Sequence, residues 1–280
     1  MLQNTFIHLP GIGLRREQWF WEQGCLDWDR FLAAAEAREL SGKSIERISP
    51  LVRQSVAALA TADTSFFGAR LPGREAWRLF PNFADRALFL DIETTGLSPH
   101  DNEVTMIGAL GGGQLALFIN GINLDEFPAY VARFPLLVTF NGSQFDVPFL
   151  RVRFPEARLD QAHFDLRFAL ASLGYRGGLK AVERTLGVTR NADIQTVDGF
   201  EAVWLWFRYQ RGDRAALRKL ALYCLTDVAN LVGLARIAVS QKIHRTGFPH
   251  PLNLPECNAI ESLEPGCIDN WLDRYLHGVT

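Results

Sequence analysis

The sequence predicts an α/β domain built on a mixed β-sheet, with a helical extension in front of it. Three observations carry this expectation. Five short apolar segments follow one another from Ala87 onward, the first three with little between them. Helix-like stretches then alternate with the later segments and finally take over. The residues before 80 show helical and irregular patterning and no strand-like run. Strands first, then alternation, then helices is the order of an α/β domain with a mixed sheet.

Residues 6–14 read FIHLPGIGL and precede a helix-like run rich in tryptophan; a second helix-like run covers 43–60. Gly68, Pro72 and Gly73 break the pattern and predict a linker or turn. From Ala87, ALFLDIE has the length and apolar content of a buried strand. EVTMIGAL and QLALFIN follow across Gly111, Gly112 and Gly113, a strand meander. Residues 124–134 read as helix, PLLVTF as a strand, and a helix is expected to start near Asp146. HFDL reads as a short strand, after which the chain is helical to about Ile243. Residues 244–280 hold Pro, Gly and Asn without a clear period and predict an irregular tail. The expected division is 1–80 for the extension, 85–243 for the α/β domain and 244–280 for the tail.

With 280 residues, 48% of them apolar, the chain can bury a substantial core. Its formal net charge of −2 excludes a globally basic nucleic-acid coat. A polyanionic partner must be held by a local patch or by metal ions. The cysteines Cys25, Cys224, Cys257 and Cys267 form no C-x-x-C pair, which argues against a zinc knuckle. Cys224 sits in an apolar helical pattern and reads as core. There is no basic-then-apolar leader and no run of eighteen apolar residues, so a cytoplasmic protein without a membrane partner is expected.

The chemistry concentrates in three strings. The first is Asp91-Ile92-Glu93-Thr94-Thr95-Gly96-Leu97. Side chains alternate along a strand, so Asp91 and Glu93 share a face. Two carboxylates there repel each other and are costly to bury without a cation. A divalent metal resolves the conflict, and hard cations take oxygen ligands; the bland alternative is a strand end with hydrated acids. The second string is Asn141-Gly142-Ser143-Gln144-Phe145-Asp146, directly after a strand, where open α/β sheets bind ligands. Asp146 there reads equally as a helix N-cap, with Pro148 in the first turn. The third is Tyr223-Cys224-Leu225-Thr226-Asp227, which puts Tyr223 and Asp227 on one helix face. Asp is a poor helix former in mid-helix; the alternative is a solvated Asp beside a half-buried Tyr.

Taken in order, the D-x-E-T-T-G-L, N-x-x-x-F-D and Y-x-x-x-D strings make the chain resemble the DEDD exonuclease superfamily over roughly residues 85–240. Similar strings occur in the proofreading exonuclease domains of family B DNA polymerases. The short standalone build is similar to the YprB-type ribonuclease H-like proteins. Leu222 lies five before Asp227 and Tyr223 four before it, so the resemblance is to the tyrosine branch. It implies a ribonuclease H-like mixed five-stranded sheet flanked by helices. It also implies a 3′→5′ exonuclease with two divalent ions, Mg²⁺ or Mn²⁺, held by Asp91, Glu93, Asp146 and Asp227. In that scheme Asp91 bridges both ions. Glu93 and Asp227 complete the site of the nucleophilic water, and Asp146 serves mainly the other ion. Tyr223 orients the water. An ordinary tyrosine has a pKa of about 10, which favours orientation over proton abstraction. Thr94, Thr95, Gly96, Leu97, Asn141 and Phe145 are the expected substrate contacts beside the acids.

Residues 151–190 hold eight basic and four acidic residues. The basic ones are Arg151, Arg153, Arg158, Arg167, Arg176, Lys180, Arg184 and Arg190. Such a stretch suits a phosphate backbone, or is a solvated helical surface. Lys180, after Gly177 and Gly178 near a helix start, is the expected phosphate contact. Phe145 and Tyr175 are candidates for stacking on bases, with Phe145 equally a core residue. The turn Pro10-Gly11-Ile12-Gly13 resembles the hairpin of a helix–hairpin–helix element, with Arg15 and Arg16 following; a tight structural turn reads as well. Trp19, Trp21 and Trp28 are expected to pack against the α/β domain. The expected partner is DNA or RNA, entering as a single-stranded 3′ end. The alternatives are a nuclease-like module that binds without cutting and a phosphoesterase of small nucleotides.

Overall fold

The computed structural model describes residues 1–190, 192–252, 254 and 267–278. Its centre is a five-stranded sheet of β1 (Ala87–Thr94), β2 (Val104–Gly111), β3 (Gln114–Ile119), β4 (Leu136–Thr139) and β5 (Ala162–Asp165). The strand order is β3-β2-β1-β4-β5. Strand β2 runs antiparallel to both of its neighbours, β1 and β3, whereas β4 runs parallel to both β1 and β5. The meander closes at Gly112 and Gly113, whose φ values of 57° and 77° fit a two-residue hairpin that side chains resist. This is the mixed ribonuclease H-like sheet expected from the sequence.

Helices α1 (Leu14–Glu22), α2 (Trp28–Glu36), α3 (Lys43–Ala60), α4 (Thr64–Gly68) and α5 (Phe80–Phe83) precede the sheet. Helices α6 (Phe127–Val131), α7 (Asp146–Arg153), α8 (Leu166–Leu173) and α9 (Leu179–Leu186) are interleaved with it or follow it. Helices α10 (Gly199–Gln210), α11 (Arg214–Thr246) and α12 (Cys267–Gly278) complete the chain.

Alternation along β1 sorts its side chains. Leu88, Leu90 and Ile92 enter a core with Phe127 of α6 and Phe149 of α7. Ala87 and Phe89 enter the opposite core with Leu231 and Val232 of α11. Continuing that second face, Asp91 and Glu93 point to the α11 side at the carboxyl end of the strand. The 33 residues of α11 would suffice in length to cross a bilayer, but Leu220 to Val228 and Leu231 to Val239 lie largely buried within the fold. It is the central core helix.

The N-terminal residues share this core. Phe80 packs edge-on against Phe89 and obliquely against Phe164, tying the segment to β1 and β5. Arg78 is fully buried and pairs with Glu17 at 2.9 Å and Glu75 at 3.0 Å. Of the linker or turn expected at Gly68, the structure has the turn: Gly68 closes α4 before it, packed so that a Cβ would lie 3.2 Å from the backbone of Ala162 in β5. Of the three tryptophans, Trp28 stacks on Phe67 and bonds the Thr5 carbonyl, within the N-terminal segment itself. Trp21 bonds the Asn4 carbonyl and meets Phe248, whereas Trp19 is largely exposed. The tail also differs from expectation. Residues 267–278 form α12, which buries Ile268 and Leu272 and is held to α11 by Arg218 with Asp269 and Asp273. Its apolar face is too short to stand out in sequence; packing on α11 makes it helical. The tail's other residues, from 253 apart from 254, lie outside the described residues.

Candidate functional site

The site forms where β1 ends. A register shift between Glu93 and Thr94 puts a bulge in the pairing with β2, which resumes at Thr94 opposite Val104 and kinks the ladder next to the acids. The turn that follows is self-bonded: the Thr94 hydroxyl donates to the Gly96 carbonyl at 2.6 Å, and the Glu103 N–H donates to Thr95 Oγ1 at 2.9 Å. Gly96 is required for packing, since a Cβ there would fall 2.3 Å from the Asn102 side-chain oxygen. Leu97, 86% exposed, projects at the lip.

A second glycine brings the helix in. Gly108 on β2 sits directly opposite Asp91 in the ladder. A Cβ at Gly108 would lie 2.8 Å from Cys224 Sγ. Its absence lets α11 approach the sheet closely enough for the Cys224 thiol to reach the Asp91 carbonyl at 3.8 Å. One residue before and three after Cys224, Tyr223 and Asp227 are thereby delivered to the strand carboxylates.

Asp146 arrives from the other side, as the buried first residue of α7. Its approach is fixed by the preceding loop. Asn141 adopts φ 68°, a conformation asparagine tolerates better than most residues. Asp165, at the end of β5, accepts from the Asn141 and Ser143 N–H groups and from the Ser143 hydroxyl at 2.6–3.1 Å. Asn141 presents its side-chain oxygen to Arg167. Asp165 did not stand out in the sequence; it belongs to the loop that aims Asp146.

Asp91, Glu93, Asp146, Tyr223 and Asp227 thus line one cleft of about 660 Å³, together with Thr94, Thr95, Gly96, Leu97, Asn141 and Phe145. Lys180, on α9, holds its ammonium 4.8 Å from the Tyr223 ring centroid. Every expected site residue is at or beside this cleft. Tyr175 is not part of its lining: its hydroxyl accepts from Gln241, among core residues.

The electrostatics are those of crowded acids. Burial, then the neighbouring carboxylates, push Asp91 and Glu93 well above the usual carboxylate range. Burial raises Asp146 to about 7, against backbone hydrogen bonds that pull it down. Asp227 rises to about 6 through burial, with Arg190 opposing. Burial and the same carboxylates push Tyr223 up, so its hydroxyl stays protonated. They also push up the Cys224 thiol, whose sulfur neighbours Asp91 and Glu93. A thiol kept neutral is a poor metal ligand. The usable donors are carboxylate oxygens, and Asp91 with Glu93 form a possible acidic metal site that suits a hard divalent cation.

Arg190 corrects the sequence reading. Expected on a phosphate-binding surface, its side chain is only 6% exposed and forms an ion pair with Asp227. It also chelates Glu183 at 2.5 and 2.7 Å, and Asn230 supports Glu183 at 2.9 Å. Arg153 and Arg158 are engaged locally too, with Asp125 and Asp160. The opposite wall of the cleft was also missed: Phe200, Val203, Trp204 and Phe207 of α10. The signal was present in FEAVWLWF, apolar on every face of a helix. Pro10 to Gly13 forms a turn into α1 and lies outside the cleft lining.

Residues 88–239 match the model of the RNase H superfamily. An uncharacterized protein of Methanocaldococcus jannaschii is 32% identical over 177 residues, covering 54% of this chain and 93% of that protein. Among solved structures, the family B DNA polymerase of Pyrobaculum calidifontis aligns over 56% of this chain and 24% of its own, at 19% identity and a TM-score of 0.43. A nuclease solved in its apo form aligns over 74% of this chain and 90% of its own, at 20% identity and a TM-score of 0.41.

Proposed function

The chain belongs to the RNase H superfamily, and from that premise we propose that it is a metal-dependent 3′→5′ exonuclease of DNA or RNA. The observation that carries the reading is the convergence of Asp91, Glu93, Asp146 and Asp227, from one strand and two helices, on one cleft. Four crowded carboxylates, three of them buried and that of Asp91 half-buried, are unfavourable company for one another. Their raised proton affinities express that repulsion. An all-oxygen donor set of this kind fits two divalent ions, Mg²⁺ or Mn²⁺, held by these four residues. Such ions, when bound, would stabilise charge on the attacking and leaving oxygens of a phosphodiester.

The chain's own residues have separate tasks. Tyr223, kept protonated, donates a hydrogen bond that orients the attacking water. It does not remove a proton. Lys180, beside Tyr223, supplies a cation for the phosphate adjoining the scissile bond. Thr94, Thr95 and Gly96 present a self-bonded, rigid turn to the terminal nucleotide. Leu97 and Phe145 flank its base, and Asn141 lines the wall between them. Direction follows from the resemblance: the strand enters the cleft with its 3′ end at the carboxylates.

The test is a time course on 5′-labelled single-stranded DNA and RNA with Mg²⁺, Mn²⁺ or EDTA. A ladder shortening from the 3′ end in metal, absent in Asp91→Ala, is expected. Cleavage retained by Asp91→Ala would sink the assignment. An intact label in every lane would favour a module that binds without cutting.

A further inference from the structure

Helix α10 carries two apolar faces. Ala202, Leu205 and Trp206 are buried against α11. Phe200, Trp204 and Phe207 form a second stripe at i, i+4 and i+7, and they are 86%, 63% and 44% exposed. A helix apolar all round is ordinarily buried, and contiguous exposed apolar surface marks an interaction site. This stripe is continuous with the carboxylates, because its three aromatics line the same cleft as Asp91, Glu93 and Asp227. Leu97 and Phe145 line it too.

The occupant follows from the pairing of the two surfaces. Whatever lies on the stripe extends over a site built for cations and for the anions they bind. It must combine flat apolar faces with closely spaced negative charge. Unpaired nucleotides do both: each base offers a π face and each linkage a phosphate. A second protein chain seated there would cover the acids with nothing to neutralise them. From Phe200 to Phe207 the helix advances about 10 Å, roughly the length of three stacked bases.

We propose that Phe200, Trp204 and Phe207 are a stacking platform for about three unpaired bases of the strand whose end lies among the carboxylates. The proposal rests on the nuclease reading for the identity of that strand, and predicts indifference to base sequence, since every base has a π face. Duplex ends must fray to use it.

The experiment is fluorescence anisotropy with 5′-labelled oligothymidylate, and with the same strand made abasic at its three 3′-terminal positions, in EDTA and in Ca²⁺. Wild-type protein should prefer the base-bearing strand by about 5- to 100-fold. Trp204→Ala and Phe200→Ala should each lose a large part of that preference while binding the abasic strand as wild type does. Their thermal melts should match wild type, because both side chains are exposed. Equal wild-type affinity for the two strands, or full preference in both folded variants, overturns the platform. Wild-type dimers in sedimentation that dissociate on Trp204→Ala, with base preference intact, also overturn it and assign the stripe to a second copy. The cutting assay on the same strands is read separately. Base-dependent binding without cleavage fails the exonuclease reading yet supports the platform.

Discussion

Arg190 forms an ion pair with Asp227, and the same guanidinium chelates the buried carboxylate of Glu183. A proposed metal ligand is therefore held by a protein cation at its back. Removing one member of such a chain leaves an uncompensated buried charge, which costs about 3–5 kcal/mol. Arg190→Met is expected to destabilise the protein by that order in urea melts. Glu183→Gln added to Arg190→Met should recover part of the loss, giving a non-additive cycle. Strict additivity of the two substitutions would show that the pairing contributes nothing.

Much of this site was legible because its strings are local. Asp91 and Glu93 are placed on one face by strand alternation alone, and Tyr223 with Asp227 by the turn of a helix. The rest was not legible because it is made by tertiary packing. Arg190 reads as one of eight basic residues in its stretch; only the fold buries it behind Asp227. Asp165 reads only as part of the short strand HFDL, and only the return of the 141–145 loop brings it three donor groups. The tail reads as irregular because α12 is stabilised by α11 rather than by its own pattern.

The crowded acids set a trade between stability and the proposed metal binding. A carboxylate with a raised folded-state pKa contributes stability fully present below its unfolded value and lost as pH rises through the folded value. For Asp227 and Asp146 those folded values are about 6 and about 7. Metal-free protein should therefore lose stability between about pH 4 and 7, and Mg²⁺ or Mn²⁺ should restore it at pH 8. Asp146→Asn should raise the metal-free Tm at pH 8 by about 5 °C and shrink the metal-induced rise. A lower metal-free Tm in Asp146→Asn would contradict the repulsion argument.

His8 gives a pH dependence far from the site. It is buried between Trp28 and Phe67, with Nε2 2.7 Å from Ser55 Oγ. Burial, with Arg70 and Arg78 nearby, lowers its pKa to about 3. A histidine with a depressed folded value contributes stability present above its unfolded pKa of about 6.5 and lost as pH falls toward the folded one. Between pH 7 and 5 the expected loss is about 2 kcal/mol. Comparing urea midpoints of wild type and His8→Gln across that range isolates the effect; parallel curves would refute it.

Gly108 is the contact on which the site's assembly depends. It faces Asp91 across the ladder, and Cys224 of α11 occupies the space a side chain would need. Val228 also stands 3.1 Å from that position, so the helix meets the strand at two places one turn apart. Gly108→Ala must therefore push α11 outward, because neither neighbour has room to turn aside in a packed core. The cost of such overpacking is about 1–3 kcal/mol. The functional cost should be larger, since Tyr223 and Asp227 ride on the displaced turn, and small misplacement of catalytic groups costs on the order of 100-fold in rate. Cys224→Ala in the Gly108→Ala background shortens the opposing side chain and should recover stability and cleavage together. Recovery of stability without cleavage would mean that α11 returns to its depth but not to its register.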